Sequence, residues 1–177
     1  MLIFHHQLSL AEGFEVLEKT KHDRLIRGKQ VSACSGWALF QTYKGKPIRC
    51  WSCGCKADRW IADQGRRNPS PPVVNLYGIK DGKLLMMNRD HIIPKSLGGL
   101  DMNENLRPAC EECNGNRGNE LNAEDLQFRK DHPEFISQAR LNHGKENARR
   151  AWKAQRDNPE EQARIEAVFT LIGEPLW

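Results

Sequence analysis

The sequence predicts a small α+β protein, in which a compact core carries helices at both ends of the chain. Three observations predict this class. The 177 residues are only 38% hydrophobic, which is low for a chain with one large core. Residues 73–79 and 83–88 have strand-like patterns and flank Lys80-Asp81-Gly82, a typical hairpin turn. Helical patterns precede and follow this region.

The N-terminal segment, residues 1–48, is expected to be a helical accessory element. Residues 9–25 have the pattern of an amphipathic helix, with Leu10, Phe14 and Leu17 on one face. Ser9 is a good N-cap, and Glu12 follows three residues later, as in a capping box. This helix is therefore expected to pack against the core.

The C-terminal segment, residues 121–177, is also expected to be helical. Pro133 and Gly144 are predicted to interrupt it. Asn158-Pro159 followed by two glutamates is a strong helix start, because it supplies a cap, a proline at the first position and acids in the first turn. Val168, Phe169, Leu171 and Ile172 give this last helix an apolar side.

The central segment, residues 49–120, contains two Cys-x-x-Cys pairs. They are Cys50 with Cys53 and Cys110 with Cys113. This spacing turns both sulfurs of a pair toward one ion, and two pairs complete a tetrahedral structural zinc site. Four thiolates leave no open position for water, so the zinc is expected to staple two distant segments rather than to catalyse.

Two further cysteines lie outside the preferred pairs. Cys55 offers a rival pairing with Cys53, but the two-residue spacing of Cys50 and Cys53 matches the second pair better. Cys34 stands alone and is expected to be a small buried apolar residue. Residues 56–89 are interpreted as an insertion between the two cysteine pairs.

The net charge and the hydropathy of the chain limit the classes of partner that we expect for the protein. The formal net charge is +4, a mild basic excess that is compatible with nucleic-acid binding. No segment approaches the ~20 consecutive apolar residues that span a membrane. The first ten residues lack the layout of a secretory signal, so we expect a cytoplasmic protein with reduced cysteines.

Between the cysteine pairs lies a polar motif with the elements of a hydrolytic site. Asp90-His91 precedes a glycine-rich loop, Asn105-Leu106 follows it, and Asn114 comes directly after the second cysteine pair. Phosphodiester hydrolysis needs a base for water and a cation for the developing charge. A histidine is suited to the first role at neutral pH, and carboxylate and amide oxygens suit Mg²⁺.

This motif, spanning residues 50–118 with the insertion, resembles that of the HNH endonuclease family. The resemblance implies a zinc-stapled ββα-metal (His-Me finger) core and cleavage of DNA to 5′-phosphate and 3′-hydroxyl ends. It implies His91 as the general base, Asp90 and Asn114 as ligands of a catalytic Mg²⁺ or Mn²⁺, and Asn105 as the residue that holds His91 in place. Asn114 stands where many members have His, which makes this chain an HNN variant.

DNA contacts are expected from basic residues in and beyond the motif. Arg117 lies one helical turn after Asn114 and is predicted, with Lys95, to hold a phosphate. The basic run at residues 145–156 contains Arg149, Arg150 and Lys153. Its alternative interpretation, a solvated helical face, is about equally supported. The tryptophans are expected to pack in the interior rather than to stack on bases.

The interpretation that follows is a metal-dependent DNA endonuclease of the homing type, free-standing and phage-encoded. A double-strand break would need a homodimer, another protein partner or two successive nicks. Restriction, packaging-associated nicking and junction resolution are the other enzyme roles. The alternative from another class is a non-catalytic zinc module that binds nucleic acid or protein.

Overall fold

The computed structural model describes residues 5–64 and 71–177, which form two compact units. Within the described residues, the first unit takes in residues 5–64, 71–89 and 108–116. The second takes in residues 90–107 and 117–177. The three-part division expected from the sequence, at residues 48 and 120, stays a prediction.

The first unit is built on a six-stranded sheet. Its strands are β1 (His5–Ser9), β4 (Ser32–Ala33), β5 (Ala57–Asp63), β6 (Val73–Lys80), β7 (Lys83–His91) and β8 (Leu106–Cys110). The order is β1-β5-β6-β7-β8, and β4 pairs in parallel with β6. A separate two-stranded hairpin joins β2 (Leu25–Ile26) to β3 (Lys29–Gln30). The predicted insertion therefore supplies the central strands of this sheet.

The predicted hairpin between β6 and β7 is confirmed. Lys80 pairs with Lys83, and Asp81 and Gly82 form the turn with φ of 51° and 74°. Two consecutive positive φ values are the geometry of a type I′ turn, which matches the right-handed twist of the strands.

Helix α1 (Leu10–Glu18) begins at the predicted capping box and is shorter than the sequence suggested. The Ser9 side chain accepts from the backbone of Glu12, whose carboxylate accepts from the Ser9 backbone. The helix ends at Glu18, because the next residue, Lys19, is in extended conformation. The Arg24 side chain donates to the Leu17 carbonyl at this end of the helix. The predicted continuation to residue 25 is therefore wrong.

Trp60 of β5 is the centre of the first unit's core. Its side chain is fully buried and makes edge contacts with Phe14 of α1, Trp37 of α2 (Trp37–Gln41) and Phe40. A Cβ on Gly13 would lie 2.0 Å from this indole ring, so α1 approaches the sheet only because residue 13 has no side chain. The packing role predicted for Trp60 and Trp37 is confirmed.

The elements expected of a ββα core follow one another along the chain. Strand β8 is followed directly by helix α3 (Glu111–Arg117), and β7 precedes both. The antiparallel hairpin of β6 and β7 and the helices on both sides make this a mixed α/β protein, and its four-cysteine cluster is consistent with a zinc-stapled ββα core. The predicted fold class is therefore confirmed.

The second unit is mainly helical. Two 3₁₀ turns (Lys95–Leu97 and Asn103–Asn105) precede α4 (Ala123–Asp131), a third 3₁₀ turn (Pro133–Phe135), α5 (Gln138–Ala154) and α6 (Pro159–Leu171). Its core contains Leu97, Leu141, Phe169 and Leu176. The predicted start of α6 is confirmed, since Asn158 caps it and Pro159 is its first residue. In the described part of the chain, no helix combines the length and apolar character required to cross a membrane.

Gly144 does not interrupt a helix as predicted; it lies inside α5. A Cβ at this position would lie 1.8 Å from the carbonyl oxygen of Ser96. The glycine therefore allows α5 to pack against the 3₁₀ turn at Lys95–Leu97. That turn follows His91 by only a few residues, so the C-terminal helices support the loop that carries the candidate base.

Candidate metal centre and nuclease site

The four predicted zinc ligands lie together in the first unit. The sulfur atoms of Cys50, Cys53, Cys110 and Cys113 are all within 4.8 Å of one another. Cys53 Sγ and Cys110 Sγ are 3.7 Å apart. In a tetrahedral site with Zn–S bonds of about 2.3 Å, sulfurs are separated by about 3.8 Å. The donor set and its size therefore fit a structural zinc, and no other cluster of this kind occurs among residues 5–64 and 71–177.

Local backbone geometry prepares the first pair for a metal. Burial raises the pKa of the Cys50 thiol, but backbone N–H groups of Cys53, Cys110 and Ser52 donate to its sulfur and bring the pKa down to about 7. Gly54, with φ of 71°, closes the turn by donating to the Cys50 carbonyl. Such N–H contacts stabilise a thiolate, the form that binds zinc.

The rival cysteine pairing is not formed. Cys55 is buried beside β6, where its sulfur would lie 3.0 Å from a Cβ on Gly78, and it is not part of the four-sulfur cluster. Cys34 lies elsewhere and is half-buried, not fully buried as expected, and its burial raises the pKa of the thiol to about 11. The preference for Cys50 with Cys53 is therefore confirmed.

In the second unit, Asp90 lies in a buried cluster of two acids and two bases. Its Oδ2 accepts from Arg107 Nε at 3.2 Å and its Oδ1 from Arg117 Nη1 at 2.8 Å. Both arginines also pair with Asp125, at 2.7 to 3.0 Å. The four side chains are between 1% and 15% exposed. The cluster is electrically neutral as a whole.

The predicted metal-ligand role of Asp90 is compatible with these ion pairs. A carboxylate offers about four lone-pair sites on its two oxygens. One site on each oxygen is used by an arginine. One site on each oxygen is left for a hard cation, although two guanidinium groups weaken the attraction of a further positive charge. Its role as a ligand stays a proposal.

The phosphate contact predicted for Arg117 does not fit the geometry. The side chain is 7% exposed, and its amino groups donate to Asp90, to Asp125 and to the backbone carbonyls of His91 and Ile92 at 2.8 to 2.9 Å. This guanidinium therefore fixes the chain on both sides of the His91–Ile92 peptide. Its position makes it a structural support of the loop instead of a group presented to DNA.

Asn105 closes the glycine-rich loop. Its side chain is fully buried, and its Oδ1 accepts from the Ile93 backbone N–H at 2.8 Å. Its Nδ2 donates to the carbonyls of Ile93 and Leu100, at 3.2 and 2.9 Å. The Ile92 N–H donates to the Asn105 carbonyl. These bonds hold the residues directly after His91, and the role of Asn105 in holding His91 itself in place stays a prediction.

His91 is the last residue of β7, and its side chain is 12% exposed. Its Nε2 lies 3.0 Å from Oδ1 of Asp101. The same carboxylate receives Lys95 Nζ at 2.8 Å and Arg140 Nη2 at 3.0 Å. The Lys95 ammonium, followed by Arg140 and His91, holds the pKa of Asp101 well below its usual range, against the opposing effect of partial burial. Asp101 is therefore ionised at neutral pH.

Sequence reasoning missed both Asp101 and Arg140. Asp101 follows the glycine pair of the loop, where an acid is an ordinary turn residue. Arg140 lies on α5, 39 residues further along the chain, and donates also to the Gly99 carbonyl at 2.8 Å. A separation of this length leaves no local pattern. The only signal in the sequence was an acid, Asp101, close to the charged residues of the motif.

The remaining predicted residues differ in accessibility. Lys95 is half-exposed beside His91, as a phosphate contact requires. Asn114 lies half-buried on α3, in the first unit, and its ligand role stays a prediction. In the basic run, Arg150 and Lys153 are exposed. Arg149 instead donates to the Leu176 carbonyl at 2.7 Å and lies over the Trp177 ring, so its predicted DNA contact does not fit.

Comparison with known families agrees with this geometry. Residues 80–130 match the family model described as HNH endonuclease. This segment is therefore similar to HNH endonucleases. The match includes β7, β8, α3 and nearly all of α4, and therefore Asp90, His91, Asn105 and Asn114. It covers less than a third of the chain, and the first cysteine pair and α5 lie outside it. No curated protein and no solved structure gives a significant match.

Proposed function

We propose that this protein is a metal-dependent endonuclease that hydrolyses DNA phosphodiester bonds at the HNH module, with His91 as the general base. The observation that carries the proposal is the environment of His91. It lies within the matched segment, at the end of a strand, its ring is held by an ionised acid, and two cations share that acid. A zinc staple alone requires none of these features.

The reaction proposed is a single displacement at phosphorus. His91 takes a proton from water, and the resulting hydroxide attacks the phosphorus atom. The bond to the 3′ oxygen breaks, and that oxygen leaves with a proton from solvent as a 3′-hydroxyl, which leaves a 5′-phosphate on the other fragment. Lys95, half-exposed beside the base, attracts the phosphate.

A catalytic Mg²⁺ or Mn²⁺ is part of the proposal. Asp90 and Asn114 are the residues that would hold it, since both provide the oxygen donors that these hard ions prefer. When bound, the ion supplies charge neutralisation at the phosphate and the leaving oxygen. The zinc at the four cysteines is structural and takes no part in this chemistry.

DNA cleavage tests the proposal directly. Purified zinc-loaded protein is incubated with supercoiled plasmid and Mg²⁺, with and without EDTA at a concentration that leaves zinc bound. The proposal predicts relaxed or linear plasmid only with Mg²⁺, and nicks that DNA ligase reseals, because ligase requires a 5′-phosphate and a 3′-hydroxyl. Retarded but uncut plasmid would instead support the non-catalytic zinc module.

A homing-type role is the biological proposal that we retain. What supports it is a segment similar to HNH endonucleases within a chain that carries a separate basic helix, α5, outside the match. Cleavage mapped on random-sequence DNA tests this role. A long, infrequent target is expected for homing, and cleavage without sequence preference would contradict it.

A further inference from the structure

We infer that the outer face of helix α5 recognises a short DNA sequence in the major groove, close to the bond that is cut. This outer face is formed by Asn142, His143, Glu146, Arg150 and Lys153, all of which are exposed. The inference rests on the proposed function for the cut itself. Recognition of a sequence by this face is a separate property, which can be measured without cleavage.

The opposite side of α5 is occupied by contacts within the second unit. Leu141 is buried in the core of that unit, and Trp152 packs against the same cluster. Lys145, also on this side, pairs with Glu174 at 2.8 Å. Because these contacts fix the rotation of the helix, its outer face is held toward solvent and is open to a partner.

The residue types of the outer face are those that recognise base edges. In the major groove Asn pairs with adenine, Arg pairs with guanine and Glu accepts from cytosine. A face that is only solvated is better formed by alanines and Glu–Lys pairs, because Asn and His disfavour a helix. Here Asn142 and His143 stand side by side in the middle of α5. Glu146 and Arg150 are 3.9 Å apart and mostly exposed, so both remain accessible to a base.

The charge of the outer face complements DNA. Glu146 is the one acid in the sequence of α5. It is outweighed by Arg150 and Lys153, and the exposed Arg156 follows directly after the helix. Cations at the end of a recognition element are suited to phosphates, which position a protein on the duplex but carry no sequence information directly. We therefore assign Lys153 to the backbone and the residues before it to the bases.

The beginning of α5 is fixed to the loop that follows His91. The Ser137 N–H donates to the Gly98 carbonyl at 2.8 Å, and Arg140 donates to the Gly99 carbonyl at 2.8 Å. Both bonds lie in the second unit, which also contains the candidate base. The outer face of α5 is therefore held at a constant distance from the base.

The length of the outer face limits the number of base pairs that it can contact. An α-helix rises 1.5 Å per residue, so the stretch from Asn142 to Arg150 spans about 12 Å. Base pairs repeat about every 3.4 Å, so this length corresponds to roughly three or four of them. The preferred base pairs should form one block at a constant distance from the cut.

A binding selection tests the inference without requiring cleavage. Zinc-loaded His91→Ala, which leaves α5 unchanged, enriches duplexes from a random-sequence library, and further variants are made in this background. We expect a preferred block of roughly three or four base pairs. Arg150→Ala should relax the preference at one position of the block by about fivefold or more, and Asn142→Ala at another. Lys153→Ala should weaken the binding of all sequences about equally.

Arg164→Ala is the matched control. Arg164 is also an exposed arginine, but it lies on α6 and pairs with Glu120 at 2.9 Å. Its substitution should leave the preferred block unchanged. Selection of no preferred block, or of a block that Arg150→Ala and Asn142→Ala leave unchanged, would overturn the inference.

Cleavage by the wild type separates the inference from the proposed function. On the enriched duplexes, cuts should fall at one constant distance from the block, and cuts at scattered distances would overturn the inference. A wild type that cuts no DNA but prefers the block would refute the proposed function and leave recognition by α5 established. A wild type that cuts DNA but selects no block would support the proposed function and refute the inference.

Discussion

Arg117 Nη1 lies 2.8 Å from Asp90 Oδ1, and this buried ion pair links the last residue of α3 to the residue before the candidate base. The same guanidinium donates to the carbonyls of His91 and Ile92. The position of the base therefore depends on a charged cluster in the interior. Arginine is suited to this role because its planar group donates in several fixed directions.

Removal of Asp125 should destabilise the protein strongly. This acid is 1% exposed and pairs with both Arg107 and Arg117, so its loss leaves buried positive charge uncompensated. Breaking a buried pair in this way typically reduces the free energy of unfolding by about 3–5 kcal/mol. Urea denaturation of zinc-loaded Asp125→Ala measures it. Glu124→Ala, an exposed acid on the same helix, is the control, and an equal effect in both variants would contradict the cluster's structural role.

If the four cysteines bind a structural zinc, the purified protein should contain the metal and its folding should depend on it. Purified protein should contain one zinc per chain by elemental analysis, and Cys110→Ser should lose both the zinc and much of the fold, because metal binding supplies folding free energy. Cys55→Ser and Cys34→Ser are the matched controls and should retain zinc, since neither sulfur belongs to the cluster. Fresh reduced protein without zinc would contradict this account.

Asp90→Ala and Asn114→Ala should each weaken Mg²⁺-dependent cleavage. The loss should be larger for Asp90→Ala, which removes a charged ligand, and added Mg²⁺ should partly restore Asn114→Ala by mass action. Asp90 also takes part in the ion-pair cluster, so its variant must be compared at equal folded fraction, with Asp90→Asn as the variant of similar shape. Cleavage that persists in EDTA while zinc is retained would exclude a catalytic divalent ion.

Binding to DNA should depend on the exposed part of the basic run. Arg150→Ala with Lys153→Ala should weaken binding to a long duplex and reduce its salt dependence, since log K changes with log salt by about −0.9 per neutralised phosphate. Arg149→Ala is the internal control, because its side chain packs on Leu176 and Trp177 and should alter stability instead. An unchanged salt slope in the double variant would identify the run as a solvated face.

The sequence predicted what local patterns encode. The cysteine pairs, the hairpin at Asp81-Gly82 and the caps at Ser9 and Asn158 each depend on spacings of a few residues, and each is present. The motif around His91 could be predicted for the same reason, because its residues also follow one another at short spacings.

The missed features depend on contacts between distant residues. Arg117 and Arg149 appeared as DNA contacts because a cation in a sequence does not reveal the buried acid or carbonyl that it meets. Gly144 appeared to interrupt a helix because glycine disfavours helices, and its close approach to Ser96 is set by packing. Asp101 and Arg140 meet only after α5 packs against the loop.

The most direct test of the central claim is cleavage by His91→Ala. With equal zinc content and equal DNA affinity, this variant should cut supercoiled plasmid about 10²- to 10⁴-fold more slowly than the wild type, which is the usual contribution of a general base. Cleavage at the wild-type rate would contradict the assignment of His91 and, with it, the mechanism proposed for this site.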